Sequence, residues 1–173
     1  MNLLFLGHSL IEYFDWQERF PAHNALNLGV AGETVEGLLS RVLKIKDVCP
    51  RADMIFIMTG INNVAMGDAD FFGTYRVILE KLSSYYPGAK VFVHSILPVA
   101  VDFMTNKPVL EANARLKELA EASGAEYLDI YSRFVDGRGE PVREHLLDDG
   151  VHLTRRGYAV WSGVLEEIIK SSS

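Results

Sequence analysis

Several ingredients are scarce in this sequence, and each scarcity removes a class of explanation. Cys49 is the one cysteine among 173 residues, so no intramolecular disulfide is available and the fold needs no oxidising compartment. It follows an expected helix end, has no activating partner beside it, and reads as packing. Basic charge is thin: 17 Lys and Arg face 23 Asp and Glu, for a formal net charge of -6. Phosphate backbones call for clustered cations. The pairs Arg155–Arg156 and Lys44 with Lys46 read as solvated helix faces, and nucleic acid is not an expected partner. No apolar run is long enough to span a bilayer, and the first residues lack a positive segment followed by a leader-like stretch; the expected location is cytoplasmic. The five histidines (8, 23, 94, 145 and 152) show neither H-x-x-x-H nor H-E-x-x-H spacing, so no metal is expected. There is no Walker lysine and no G-x-G-x-x-G, which leaves a nucleotide or flavin cofactor without its loop. Repeats and linkers are missing, and only Ser171–Ser173 is of low complexity. The chain reads as a single domain over residues 1–173.

What is present has the profile of a globular chain: 49% hydrophobic and 23% charged residues. Five short apolar runs, Leu3–Leu6, Ala25–Leu28, Met54–Met58, Val91–Val93 and Tyr127–Ile130, suit buried strands. Helical stripes lie between and after them. Val35, Leu38, Leu39, Val42 and Leu43 form one. Phe72, Tyr75, Ile78, Leu79 and Leu82 form the next, followed by Val109, Ala112, Leu116 and Leu119. Tyr158, Trp161, Val164, Leu165 and Ile168 form the last. Residues Ile11 to His23 read as a short helix plus loop. This alternation predicts an α/β fold: a three-layer α/β/α sandwich on a five-stranded parallel sheet, with the flavodoxin-like order 2-1-3-4-5. In such sheets ligands bind beyond the carboxyl ends of the strands, so the residues that follow each strand carry the functional question.

After the first run comes Gly7-His8-Ser9-Leu10. Ser9 with Glu12 three residues on fits a helix capping box, and taken alone that reading is favoured. A helix N-terminus also suits a nucleophile, because its free N–H groups can receive an oxyanion. After the second run, "NLGVAGET" holds two glycines that permit a tight turn, and Thr34 is placed to cap the next helix. After the third, "GINN" reads on its own as a turn, with a carboxamide donor as the alternative. After the fourth, His94 reads as a hydrogen-bonded structural residue, and the apolar loop through Val101, Phe103 and Met104 either lines a pocket or packs on the core. Near the end, "DDGVHLT" places Asp149 three residues before His152 on a turn. There an acid can hold one ring nitrogen while the other faces a nucleophile. Ser9, Gly32, Asn62, Asp149 and His152 thus supply one candidate for each part of nucleophilic acyl transfer.

In these blocks the sequence resembles the SGNH hydrolases, also called GDSL esterases and acylhydrolases, over nearly the whole chain. "FLGHSL" is similar to the family's first block, whose serine is the nucleophile. "NLGVAGET", "GINN" and "DDGVHLTRRGY" are similar to the second, third and last. The resemblance implies a catalytic triad of Ser9, Asp149 and His152, and an oxyanion hole from the N–H groups of Ser9 and Gly32 and the side chain of Asn62. It implies an acyl-serine intermediate and no cofactor or metal. Two positions depart from the family pattern: His8 and Asn63 stand where it has aspartates, which removes negative charge beside the site. The expected partner is a small or medium acyl ester, for example an acetylated carbohydrate or a lysophospholipid. The absence of room for a lid tilts the expectation towards short acyl groups, whereas Phe71, Phe72, Phe103 and Met104 offer the makings of a longer groove. The competing expectation is an inactive small-molecule-binding module on the same scaffold. Trp16 and Trp161 read as core.

Overall fold

The computed structural model describes residues 1–172. Five parallel strands form one sheet in the order β2-β1-β3-β4-β5. They are β1 (Asn2–Gly7), β2 (Asn24–Gly29), β3 (Met54–Met58), β4 (Lys90–His94) and β5 (Glu126–Leu128). The helices are α1 (Ser9–Glu12), α2 (Trp16–Arg19), α3 (Val35–Val48), α4 (Ile61–Ala65), α5 (Phe72–Tyr85), α6 (Lys107–Ala122) and α7 (Arg155–Ser171). The predicted fold class and strand order are those observed.

The pleat sends successive side chains to opposite faces, and here both faces are covered. Leu4, Leu6, Ile55, Ile57 and Val93 pack under α3, α5 and α6. Leu3, Phe5, Met54, Phe56, Met58 and Phe92 pack under α1, α2 and α7. Burial on both sides explains why the strands read as continuous apolar runs rather than alternating ones. The second layer is aromatic. Phe5 stacks on Trp16 with ring centroids 4.2 Å apart, and Trp161 meets Trp16 edge-on at 5.0 Å. Both tryptophans are fully buried; truncating either to Ala is a change of about 3–5 kcal/mol.

Four local expectations are corrected. Leu43 of α3 is 58% exposed, and Ile45 completes the buried stripe with Val35, Leu38 and Val42. Strand β5 stops at Leu128 rather than Ile130, because Ser95 Oγ accepts the N–H groups of Ile130 and Tyr131 at 3.0 and 2.7 Å and bends the chain into a 3-10 turn. The Asn62–Asn63 pair opens a helix instead of sitting in a turn, with Gly60 in left-handed geometry at its start. His94 is fully buried, yet among the described residues neither ring nitrogen has a hydrogen-bond partner; it packs edge-on against Trp161 at 5.5 Å.

The order reverses between β1 and β3, the point where open sheets of this kind leave a crevice. Gly7 closes β1 there at φ +146, and a Cβ on it would lie 1.9 Å from the Met58 carbonyl oxygen. No other residue fits between the two strand ends.

Candidate active site

Ser9 is not the cap of α1. His8 is: its backbone is extended, and its Nδ1 accepts the Leu10 N–H at 3.4 Å. Burial first, and the neighbouring charge of His152 second, lower its pKa to about 4. A neutral His8 with Nδ1 accepting carries its proton on Nε2. The capping role therefore falls to the residue that replaces the expected aspartate, and the Ser9 hydroxyl is released for another partner. Glu12 does not reach back to close a capping box. It accepts the Ala31 N–H at 2.6 Å instead.

The partner of Ser9 is His152. Their Oγ and Nε2 atoms are 3.0 Å apart, although 143 residues separate them. On the other side of the ring, His152 Nδ1 lies 2.6 Å from Asp149 Oδ2. The second carboxylate oxygen of Asp149 accepts the N–H groups of Val151 and His152, each at 2.9 Å. Burial works to raise the Asp149 pKa, but the Val151 N–H, the His152 ring and backbone, and the His152 charge outweigh it and bring it to about 2. An ionised carboxylate can only accept, so Nδ1 carries the proton and Nε2 is left to accept from the Ser9 hydroxyl.

The turn that holds this acid is fixed from outside. Gly150 has φ +71, and a Cβ on it would lie 2.3 Å from the Ala100 carbonyl oxygen. The Ala100 N–H donates to the Gly150 carbonyl at 2.8 Å. Thr154 caps α7 through Gly157 N–H at 3.2 Å, as its position in the sequence suggests. Tyr158 Oη donates to the Leu10 carbonyl at 3.0 Å and ties α7 to the helix that starts at Ser9.

Of the three expected donors, Ser9 opens α1, Gly32 lies in the loop after β2 and Asn62 lies in α4, each closely following a strand. Ser9 N–H and Gly32 N–H have no protein acceptor among the described residues. Asn62 Nδ2 donates to the Glu33 carbonyl at 2.8 Å, which uses one of its two hydrogens and leaves the other. Supporting residues that the sequence did not single out hold these loops. Asn27, a polar residue inside an apolar strand, donates to the carbonyls of Ile11, Glu12 and Phe14 at 2.8–3.2 Å. Glu33 is buried and paired with Arg41, whose guanidinium also donates to Leu28 O at 2.7 Å. A polar residue in a strand run was the available signal for Asn27; nothing local marked the Glu33–Arg41 pair.

A small cavity, offering ≈ 10 Å³ to the centre of a water-sized group, is bordered by His8, Leu10, Ile61 and Val151 among others. These are sequence neighbours of Ser9, Asn62 and His152, but none of those three lines the cavity. A larger one of ≈ 340 Å³ lies between α4, α5 and α6, lined in part by Val64, Phe71, Phe72 and Arg115. It shares no residue with the Ser9–His152–Asp149 relay. Phe103 is 78% exposed, whereas Phe71, Phe72 and Met104 belong to one packed cluster. Cys49 is buried, and burial raises its thiol pKa, in keeping with a packing role. No helix among the described residues is long and apolar enough to cross a membrane.

Residues 6–160 match the model of the GDSL-like lipase/acylhydrolase family. Among curated relatives, platelet-activating factor acetylhydrolase IB subunit alpha2 of Rattus norvegicus is 28% identical over 179 aligned positions, covering 97% of this chain and 76% of the relative. Among solved structures, a Streptococcus pneumonia protein provisionally described as a platelet activating factor superposes with a TM-score of 0.86 at 25% identity, over 96% of this chain and 83% of that one. An acetyl xylan esterase variant from Geobacillus stearothermophilus shares the fold with a TM-score of 0.73 at 16% identity, over 92% and 90% of the two chains.

Proposed function

The chain belongs to the GDSL-like lipase/acylhydrolase family, and on that premise we propose that it is a serine esterase that cleaves short acyl esters through an acyl-serine intermediate. The observation that carries the reading is the relay Ser9–His152–Asp149, with contacts of 3.0 and 2.6 Å. Ser9 Oγ attacks the ester carbonyl carbon as His152 Nε2 takes its proton. Asp149 holds the ring tautomer and stabilises the imidazolium. The negative oxygen is received by the N–H groups of Ser9 and Gly32 and by the free hydrogen of Asn62 Nδ2. His152 returns the proton to the departing alkoxide. It then takes a proton from water, whose oxygen attacks the acyl-serine, and gives that proton to Ser9 Oγ as the acyl–oxygen bond breaks and the acid is released. The chemistry asks for no cofactor.

A short acyl group is favoured by the acetylhydrolase among the curated relatives; the small cavity bordered by His8, Leu10, Ile61 and Val151 is lined by neither Ser9 nor His152 and does not set the acyl length.

The test compares hydrolysis of p-nitrophenyl acetate, butyrate and octanoate by the wild type and by Ser9→Ala. Turnover that falls to background in Ser9→Ala, with acetate preferred, is the expected result. Equal background rates in both proteins, together with no labelling of Ser9 by phenylmethylsulfonyl fluoride, overturn the enzyme reading in favour of a binding module. A preference for octanoate would retain the mechanism and overturn the short-acyl assignment.

A further inference from the structure

Asn63 stands where the family pattern has an aspartate, and its surroundings account for the exchange. The side chain is buried, at 1% exposure. Its Oδ1 accepts the N–H of Val35, the first residue of α3, at 3.0 Å. Its Nδ2 donates to two carboxylates, Glu36 Oε2 and Asp68 Oδ2, each at 2.8 Å. Both amide hydrogens are used and the orientation of the amide is fixed, because only the nitrogen can face two carboxylates. The Asp68 carboxyl is held below the usual carboxylate range, first by the Asn63 amide and then by the Asp70 N–H.

These bonds join α4, which carries Asn62, to the segment that carries Gly32 and leads into α3. Asn62 Nδ2 donates to Glu33 O, one residue after Gly32. Asn63 grips Val35 and Glu36, one and two residues after the cap Thr34. The start of α4 is thereby clasped to the start of α3 at three points.

We infer that Asn63 is a positioning residue which, by bridging Val35, Glu36 and Asp68, sets Asn62 against Gly32, and that an amide is required at position 63 because Glu36 and Asp68 already supply the negative charge. The inference rests on the serine-esterase reading for its effect on rate. An aspartate at 63 would keep the Val35 bond but present an oxygen to two carboxylates. It would sit in a buried position beside like charges, and both conditions push a carboxyl pKa up. The protonated acid has one O–H, so it keeps the Val35 bond and one of the two carboxylate contacts. The ionised acid repels Glu36 and Asp68 and opens the clasp, so function is lost as pH rises.

The experiment measures kcat and KM on p-nitrophenyl acetate from about pH 5 to 9 for the wild type, Ser9→Ala, Asn63→Asp and the double variant Asn63→Asp with Glu36→Gln. Melting temperatures and carboxyl carbon NMR titrations accompany them. The Asn63→Asp rate, as a ratio to wild type at each pH, is expected to fall at least about 10-fold from the acid to the alkaline end, within the ~10²–10³ that losing a whole oxyanion donor costs. KM should change little. One carboxyl of that variant should titrate above the ordinary range. The amide introduced by Glu36→Gln can donate back across the contact that Asn63 made, so the double variant should recover part of the neutral-pH rate, with Asp68 still facing the new carboxylate. A ratio flat with pH, or a loss that Glu36→Gln does not reduce, overturns the clasp while leaving the esterase reading intact. A wild type no faster than Ser9→Ala overturns the esterase reading, and the positioning role falls with it. If Asn63→Asp melts too low to assay, the carboxyl titration of the stabler double variant and the pH profile of Asp68→Asn decide. All carboxyls titrating normally, with an unchanged rate profile, refute the inference.

Discussion

Replacing Asp149 by an asparagine is the sharpest single perturbation of the proposed mechanism, because it changes a proton's address while leaving the shape of the loop in place. In the native site one oxygen of Asp149 accepts the Val151 and His152 N–H groups at 2.9 Å, and the other accepts from His152 Nδ1 at 2.6 Å. In Asp149→Asn the new amide oxygen can keep the two backbone bonds, since an NH2 there would face two donors. That forces the NH2 towards the ring. Nδ1 must then accept, the proton moves to Nε2, and the atom 3.0 Å from Ser9 Oγ becomes a donor that cannot take the serine proton. The imidazolium formed in the transition state also loses its counter-charge. The expected fall in kcat is about 10⁴, or about 5.4 kcal/mol of transition-state stabilisation at 1.36 kcal/mol per decade. Initial rates on p-nitrophenyl acetate at neutral pH would measure it, with circular dichroism melts as the check on folding. A variant that melts like wild type and loses less than about 10-fold would refute the assignment of Asp149 as the group that sets the His152 tautomer.

Asn62→Ala should lower kcat by about 10²–10³ with little change in KM; a KM effect with kcat preserved would make Asn62 a ground-state contact instead. Gly7→Ala should abolish soluble folded protein, because φ is +146 and the added Cβ would lie 1.9 Å from the Met58 carbonyl oxygen; a variant with wild-type melting would show that β1 and β3 can part there. The buried histidines predict acid sensitivity. Burial lowers the His94 pKa to about 3, and burial followed by the His152 charge lowers that of His8 to about 4, against 6.5 when unperturbed. The unfolded chain therefore binds more protons below pH 6.5, and stability, full above that value, is lost as pH falls towards 4 and then 3. Melting temperature should drop over this window, with a shallower slope in His94→Phe; identical slopes would remove His94 from the account.

The sheet was legible because a strand buried on both faces must be apolar throughout, and Leu3–Leu6 and Met54–Met58 have almost nothing else in them. Strand order followed from the alternation with helical stripes and from the handedness of crossovers. The errors came where a few residues are governed by partners distant in the chain. Nothing in "YLDI" announces that Ser95, more than thirty residues away, will take the N–H groups of Ile130 and Tyr131 and end β5 early. Helix α4 has five residues, too few to show a period, so its two asparagines looked like a turn. His94 looked like a bonded residue because buried polar groups ordinarily are; its aromatic surroundings come from Phe56 and Trp161, on other elements.

The site divides along the same line. Ser9, Gly32 and Asn62 were singled out by the family resemblance, and each closely follows a strand, where a parallel sheet delivers residues to one rim. Asp149 and His152 could be paired because three residues on a tight turn bring a carboxylate to its own imidazole. What holds these groups is a set of bonds between loops that meet only once the sheet has formed: Glu12 to Ala31, Asn62 to Glu33, Asn63 to Glu36 and Asp68. The same fact decides how the two departures from the family pattern should be weighed. Read along the chain, His8 and Asn63 look like losses of charge beside the site. In the folded protein one is the cap of α1, which frees the Ser9 hydroxyl for His152. The other places an amide between two carboxylates that come from elsewhere. Each exchange makes sense only with its partners in view. A substitution that restored either aspartate alone would set a new charge against a site already arranged without it: beside the buried end of β1 at position 8, and against Glu36 and Asp68 at position 63.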